Sequence, residues 1–376
     1  MAVTIQNQPT YPNAAYTHLV YTVSSDQSGQ PQMQYLMDVT QGGQILSRIK
    51  QYPNPMGSGV FDPSRIMNDY IVYDQNWKTN VVSPAVQSKQ DFIIYFGEEY
   101  GTSPSSSITV YNGNGSAGNP AVTGTPVQLI GAVVDPNNGG SYNWDREGRA
   151  LTNIPTSGNE LAYTDYGTMS FYNDGSITNV VVNYNPGPTV SYTLPTGFST
   201  IPVSVVNIGV AGAYNTVTVT VNRTAKAAQV FNFTKADNCN YDRVRFAFIN
   251  SYGFWDYFGV NLPYRRETRI DRQSIIQPNV DYSSNLSLYD VTRRGKNYYN
   301  LRYNDSYTIS TNWLSQEHAA WLSEMLESPS VFLQEGTDFV PIAITNASYI
   351  HNTNRRGQKT FEYEITYEYA NQRPGR

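Results

Sequence analysis

The stretch Phe361–Tyr369, FEYEITYEY, decides the fold class. Phe361, Tyr363, Ile365, Tyr367 and Tyr369 alternate with Glu362, Glu364, Thr366 and Glu368. Successive side chains of a strand point to opposite faces, so the alternation predicts one aromatic face and one acidic face. Burying the five apolar side chains contributes about 1.5–3 kcal/mol each. Thr216–Val221 (TVTVTV) repeats the pattern, and Tyr16–Val23 (YTHLVYTV) follows it less strictly. Asp91–Phe96, Ile177–Tyr184 and Arg243–Ile249 are further β-rich stretches. Gly, Pro, Asn and Ser clusters separate them at short intervals, the pattern of sandwiches and barrels. The expectation is a mainly β, multi-domain protein of β-sandwich or split-barrel modules with two short flanking α-helices.

Both helices are marked by their ends. Asp62-Pro63 places an acceptor before a proline at the first helical position, and Ile66, Met67, Tyr70 and Ile71 follow at helical spacing. The second helix is expected over 316–327, capped by Ser315, with Glu317 near the positive end of its dipole and Pro329 as the stop. Its buried stripe is Trp321, Leu322, Met325 and Leu326, expected to pack on a sheet containing Phe361–Tyr369. The chain divides on composition into an N-terminal β module (1–100), a Gly/Ser/Pro-rich loop (101–126), a middle β-rich region (127–225) and a C-terminal module (226–376).

With 376 residues there is ample chain for buried cores. Aromatic residues make up 13%, including 31 Tyr, which excludes a mainly disordered protein. Charged residues are only 15%, and Asn, Gln, Ser, Thr, Gly and Tyr take their place. A surface of this kind is hydrogen-bonding but weakly charged, as in secreted, adhesive or virion proteins. Net charge is −5, all of it carried by residues 1–240, which hold 10 Lys+Arg and 15 Asp+Glu. Neither part has the basic excess of a general nucleic-acid binder. The single cysteine, Cys239, forms no intrachain disulfide and excludes a site built on two thiolates. The N-terminal MAVTIQNQPTYPNAAY lacks the basic and apolar regions of a signal peptide, and apolar runs such as Val127–Val134 are too short to span a bilayer. The expected site of synthesis is therefore a cytoplasm.

Motifs that suggest chemistry fail on their surroundings. Gly113, Gly115 and Gly118 spell GxGxxG, but Asn119-Pro120, Gly124 and Pro126 follow where a dinucleotide site needs a helix. Asp135-Pro-Asn-Asn-Gly-Gly begins like a calcium loop, yet Gly139 and Arg146 occupy ligand positions and Glu147 falls one residue late. His18, His318 and His351 share no zinc-ligand spacing, and no GxSxG occurs. Glu98-Glu99 offers a pair of acids for glycoside hydrolysis, as chance alone provides among 30 acids. The sequon Asn222-Arg-Thr224 matters only on a secretory route. No catalytic, cofactor or metal residue is expected.

One charge cluster stands out. Arg265, Arg266, Arg269, Arg272, Arg293, Arg294 and Lys296 are interleaved with Asp256, Glu267, Asp271, Asp281 and Asp290. Tyr264, Tyr282 and Tyr289 lie close by. Mixed signs favour ion pairs between subunits over a phosphate track, so the six arginines are the candidate subunit interface.

In the C-terminal part, Arg243–Phe258 (RVRFAFINSYGFWDYF) precedes Trp313–Leu333 (WLSQEHAAWLSEMLESPSVFL), then Phe361–Tyr369 and Tyr369-Ala-Asn. This order resembles structural proteins of tailed bacteriophages, in particular minor-tail and distal-tail proteins. Tyr52–Tyr70 (YPNPMGSGVFDPSRIMNDY) is similar to a segment of such proteins. The resemblance implies a sandwich or split barrel with a flanking helix, located in the virion tail or neck. It further implies a ring-forming tail, baseplate-hub or head–tail adaptor role. The partners implied are other copies of the chain and other tail proteins, with no membrane and no specific nucleic acid. A glycan- or receptor-binding tail fibre is the alternative, and a polysaccharide-degrading enzyme a third reading. Interfaces are rich in Tyr and poor in charge at their cores, in keeping with permanent assembly.

Overall fold

The computed structural model describes residues 3–9, 13–73, 83–84, 89–101, 108–112, 124–130, 148–162, 165, 167–173, 175–194, 203–207, 214–224, 226–236, 241–277, 280–281, 288–289, 295–345 and 360–371. The described residues are mainly β, with 58% strand and 7% helix, arranged in several open sheets with two helices. It forms two compact units. The first is Met1–Lys235 with Ile249–Asp256, and the second is Ala236–Phe248 with Tyr257–Arg376.

Among the described residues the first unit shows two cores. In one, a three-stranded sheet supplies Tyr21, Val23 and Phe61, and a six-stranded sheet supplies Tyr35, Met37, Phe92, Ile94 and Phe96. Phe96 meets Tyr21 and Phe61 at ring-centroid distances of 5.4 and 5.9 Å. The long strand Lys89–Tyr100 pairs with Gln34–Gln41, with Ile108–Asn112 and with Thr125–Ile130. The boundary drawn at residue 100 therefore runs through a sheet. Composition marked a loop there, but ladder hydrogen bonds bring its two flanks together. In the second core, Thr216–Arg223 buries Val217, Val219 and Val221, as its alternation predicts. These valines pack with Val180, Val182, Phe231 and Phe233 of the same sheet and with Phe171 of a four-stranded sheet.

The helix after Asp62 is a single turn, Ser64–Asn68. Met67 is buried, whereas Tyr70 lies beyond the helix end and is exposed. Pro63 holds the cap position and cannot cap with its side chain, so Asp62 works from one residue earlier. Its carboxylate accepts from Ser64 N and Leu19 N, both at 3.1 Å, and meets His18 Nδ1 at 2.6 Å. Burial opposes ionisation of Asp62, but these hydrogen bonds prevail and bring its pKa down to about 2. His18 itself precedes the strand Tyr21–Ser24, which is shorter than the alternation suggests.

The second unit is built on a seven-stranded antiparallel sheet. Its order is Trp255–Val260, Val244–Ile249, Val331–Glu335, Asp338–Ile344, Glu364–Tyr369, Lys296–Ser310 and Tyr264–Ile276, with Ile249, Trp255 and Asp256 at the ends of the first two strands counted to the first unit. The FEYEITYEY stretch is split: Thr360–Phe361 pairs with Leu314–Ser315, and Glu364–Tyr369 joins the large sheet. At the break Tyr363 takes its backbone bonds from Thr311 instead, N–H to Oγ1 at 2.9 Å and C=O from N–H at 2.7 Å. The alternation survives the break, with Phe361, Tyr363, Ile365 and Tyr367 all buried.

The helix Gln316–Glu327 begins on Ser315, whose hydroxyl accepts from His318 N at 3.2 Å. It buries Trp321, Leu322 and Met325, while Leu326 is half-buried. Trp321 lies against Phe248 and Phe258, with centroids 5.7 and 5.9 Å away, so its ring contacts the far strands of the sheet. The Phe361–Tyr369 region meets the helix at Tyr363, whose hydroxyl donates to Ala319 O at 3.4 Å. No helix among the described residues is long and apolar enough to cross a membrane.

Trp321 is only 3% exposed. Trp321→Ala is expected to destabilise the second unit by about 3–5 kcal/mol, measured by denaturant unfolding.

Candidate functional site

The interleaved charges of residues 264–276 fold into one strand. Tyr264–Ile276 is exposed at all 13 positions and forms the edge of the seven-stranded sheet. At about 3.4 Å per residue it is roughly 40 Å long. It pairs along its length with Lys296–Ser310, from Tyr264 opposite Ile309 to Ile276 opposite Lys296. Glu364–Tyr369 supports only Ser306–Ser310 on the other side. Among the described residues, Lys296–Asp305 and its partner segment therefore extend past the sheet as a two-stranded arm.

Register assigns the faces. Tyr264, Arg266, Thr268, Ile270 and Arg272 share the face that continues the buried side of the sheet. Arg265, Glu267, Arg269 and Asp271 line the opposite face. The arm is rooted in aromatic contacts. Tyr307 stacks on Tyr367 at 5.3 Å, Tyr369 meets Tyr307 edge-on at 5.4 Å, and Tyr264 lies 6.0 Å from Tyr307. Burial, with the neighbouring Tyr307 adding to it, pushes the Tyr367 hydroxyl far above the ordinary tyrosine range. Near residue 272 the register shifts: Arg272 faces Leu301 but Gln273 faces Tyr299. The extra residue is Asn300, at φ 50°, a conformation asparagine tolerates better than most side chains.

The arginines do not act alike. Arg266 is committed within the chain, bonding Asp305 at 2.7 Å and lying over the Tyr307 ring at 5.6 Å. The Asp305 hydrogen bond holds its guanidinium pKa above the ordinary value, with Tyr307 adding to the effect. Thr268 donates to the other Asp305 oxygen at 2.5 Å. Arg272 lies over Tyr298 at 5.7 Å, as does Lys296 at 5.6 Å. Arg265 and Arg269 stand outward and, among the described residues, pair with Glu267 and Asp271 of their own strand, at 3.3 and 3.2 Å. Arg293 and Arg294, with Tyr282 and Asp290, lie outside the described residues. Asp256 belongs to the first unit, where it is buried and accepts from Thr152 at 2.7 Å.

Apolar side chains are left exposed along the arm: Ile270, Ile275, Tyr298, Tyr299 and Ile276, the last at 80%. Charge runs announced this segment in the sequence, but its exposure on both faces was not legible there.

The acid pair Glu98-Glu99 is divided by the strand that carries it. Glu99 bonds Lys50 Nζ at 2.6 Å, while Glu98 faces inward with 0% exposure. Among the described residues no hydrogen bond of good geometry reaches either Glu98 oxygen, although the Ser25 hydroxyl lies close enough to favour the ionised form. Burial raises the Glu98 pKa, the Ser25 hydroxyl opposes this, and the Asp26 carboxylate adds to it. Burial lowers the His318 pKa against the pull of Glu317. His351, Cys239, the GxGxxG glycines and the calcium-like loop lie outside the described residues. Among the described residues no cluster of His, Cys, Asp and Glu could hold a metal ion. No protein-family model matches the chain, and no curated protein is significantly similar to it.

Two outcomes are expected. In the dissociated chain at high dilution, Arg266→Glu should loosen the arm, seen as faster amide exchange across 264–276, whereas Arg265→Glu should leave that exchange unchanged. Because the folded-state pKa of Glu98 is raised, stability tied to it is present below the ordinary glutamate pKa and is lost as pH rises through the folded value. Glu98→Gln should therefore melt higher than wild type at pH 7, with the gap closing under acid conditions.

Proposed function

We propose that the chain is a structural component of a tailed-bacteriophage virion, a ring-forming tail, baseplate-hub or head–tail adaptor protein. Its partners are other copies of itself and other tail proteins. The arm built from Tyr264–Ile276 and Lys296–Ser310 carries this reading. A two-stranded ribbon is marginal by itself in water, and this one exposes isoleucine and tyrosine on both faces. In a lone subunit those side chains gain nothing from the arm; against a neighbour they become buried contact area. The weakly charged, Tyr-rich composition and the resemblance of the 243–369 region to tail proteins support the same reading.

The fibre-type alternative, binding of glycans or a receptor, draws support from Trp313, which presents a largely exposed ring suited to stacking on a sugar.

Electron microscopy of the purified full-length protein tests the assembly reading. Ring-shaped particles of closed rotational symmetry are expected, and removal of the arm should abolish them. A chain that remains monomeric at high concentration while binding oligosaccharides through Trp313 would overturn it in favour of the alternative.

A further inference from the structure

The outer edge of Tyr264–Ile276 has no strand partner among the described residues, although the strand is long and its ladder is regular from Tyr264 to Arg272. Such an edge presents unpaired N–H and C=O groups as a template for another strand. Charges commonly guard edges of this kind, but here their order carries a symmetry. Stepping outward from Thr268, Glu267 mirrors Arg269, and Arg265 mirrors Asp271. Each charge on this face has its opposite at the mirrored position, while on the other face Arg266 mirrors Ile270 and Arg272 mirrors Tyr264.

We propose that this edge pairs antiparallel with the same strand of a second copy of the chain, with Thr268 on the two-fold axis. In that register Arg265 faces the partner's Asp271 and Glu267 faces the partner's Arg269, and symmetry forms each pair twice. Side chains directly opposite across an antiparallel pair have Cβ atoms about 4.5–5.5 Å apart, close enough for each ion pair. On the other face Tyr264 meets the partner's Arg272, and Arg266 meets the partner's Ile270. A two-fold axis normal to the sheet keeps each face continuous across the junction.

The pattern also rejects the neighbouring registers. Centring on Glu267 sets that residue against itself and Arg265 against the partner's Arg269. Centring on Arg269 sets it against itself and Glu267 against the partner's Asp271. Like charges placed directly opposite are destabilising. Centring on Ile270 carries the pairing past the register shift at Arg272, where the ladder is interrupted. The self-complementary charges, 265–271, all lie within the regular segment, 264–272. Forming the contact gives up little, because the pairs Arg265–Glu267 and Arg269–Asp271 are exposed within the strand and such pairs contribute only about 0–1 kcal/mol.

The contact is isologous, whereas closure of a ring uses head-to-tail surfaces, so it stands independently of the virion reading. Sedimentation of the full-length chain gives the association constant. Glu267→Arg and Arg269→Glu, made singly, set like charges opposite each other and should each weaken pairing by about tenfold or more. The double variant restores complementarity and should restore association. In a Cys239→Ser background, Thr268→Cys lies opposite itself and should cross-link into a covalent dimer on mild oxidation. Arg265→Cys lies far from its own copy and should not. Association unchanged by both single reversals overturns the proposal, as does a Thr268→Cys chain that cross-links no faster than Arg265→Cys. Rings that form while both reversals leave the two-fold association constant unchanged overturn the pairing alone. Paired subunits without rings support the pairing and count against the virion reading.

Discussion

The stack of Tyr307 on Tyr367 joins the two halves of the second unit's architecture. Tyr367 sits on the strand Glu364–Tyr369, buried on the inner face and in edge contact with Phe246 at 5.5 Å. Tyr307 sits on the next strand, where the arm begins. Among the described residues the arm has no other sheet partner beyond Ser306, so its direction is set by the few residues around this stack. Aromatic pairs in offset or edge geometry add about 0.5–1.5 kcal/mol beyond the area they bury. Tyr264, Tyr369 and Arg266 all converge on the same ring, which makes Tyr307 the pivot of a small aromatic cluster.

From that pivot the two faces of the arm diverge in character. The inner face continues the core outward as Ile270, Tyr303 and Leu301, with less and less protein to cover it. The outer face alternates arginine with acid. An isolated ribbon with this composition satisfies neither face. The inner residues are only half covered or exposed, and the outer pairs are screened by water. Both deficits are relieved by the same event, the arrival of a second surface. The bulge at Asn300 ends the regular ladder and increases the local twist, which limits how much of the edge another strand can follow.

Alternation made the strands Thr216–Arg223 and Glu364–Tyr369 legible, because burying every second side chain leaves a period of two in any sequence. The end signals of Gln316–Glu327 were equally readable, since Ser315 caps the helix in the observed geometry and Pro329 lies just past its end. Other features depended on partners remote in the chain. Tyr363 interrupts its strand because Thr311 takes over its backbone bonds. Glu98 is buried because it pairs with Tyr35 on the core side of the sheet, whereas its neighbour Glu99 reaches Lys50. Adjacent acids in a sequence give no sign of which one the pleat turns inward.

By itself, the sequence determined that the chain is β-rich, that its second helix runs over 316–327, and that arginine and acid concentrate near residue 270. Those properties follow from local periodicity, capping and composition. Only the tertiary structure decided that Thr125–Ile130 completes a sheet with Lys89–Tyr100, since strand pairing is a long-range choice between compatible edges. It also decided that Arg266 is tied to Asp305 while Arg265 stands outward, although the two are neighbours in the chain. Alternate residues of a strand face opposite ways, and the packing of the whole sheet determines which way is the core.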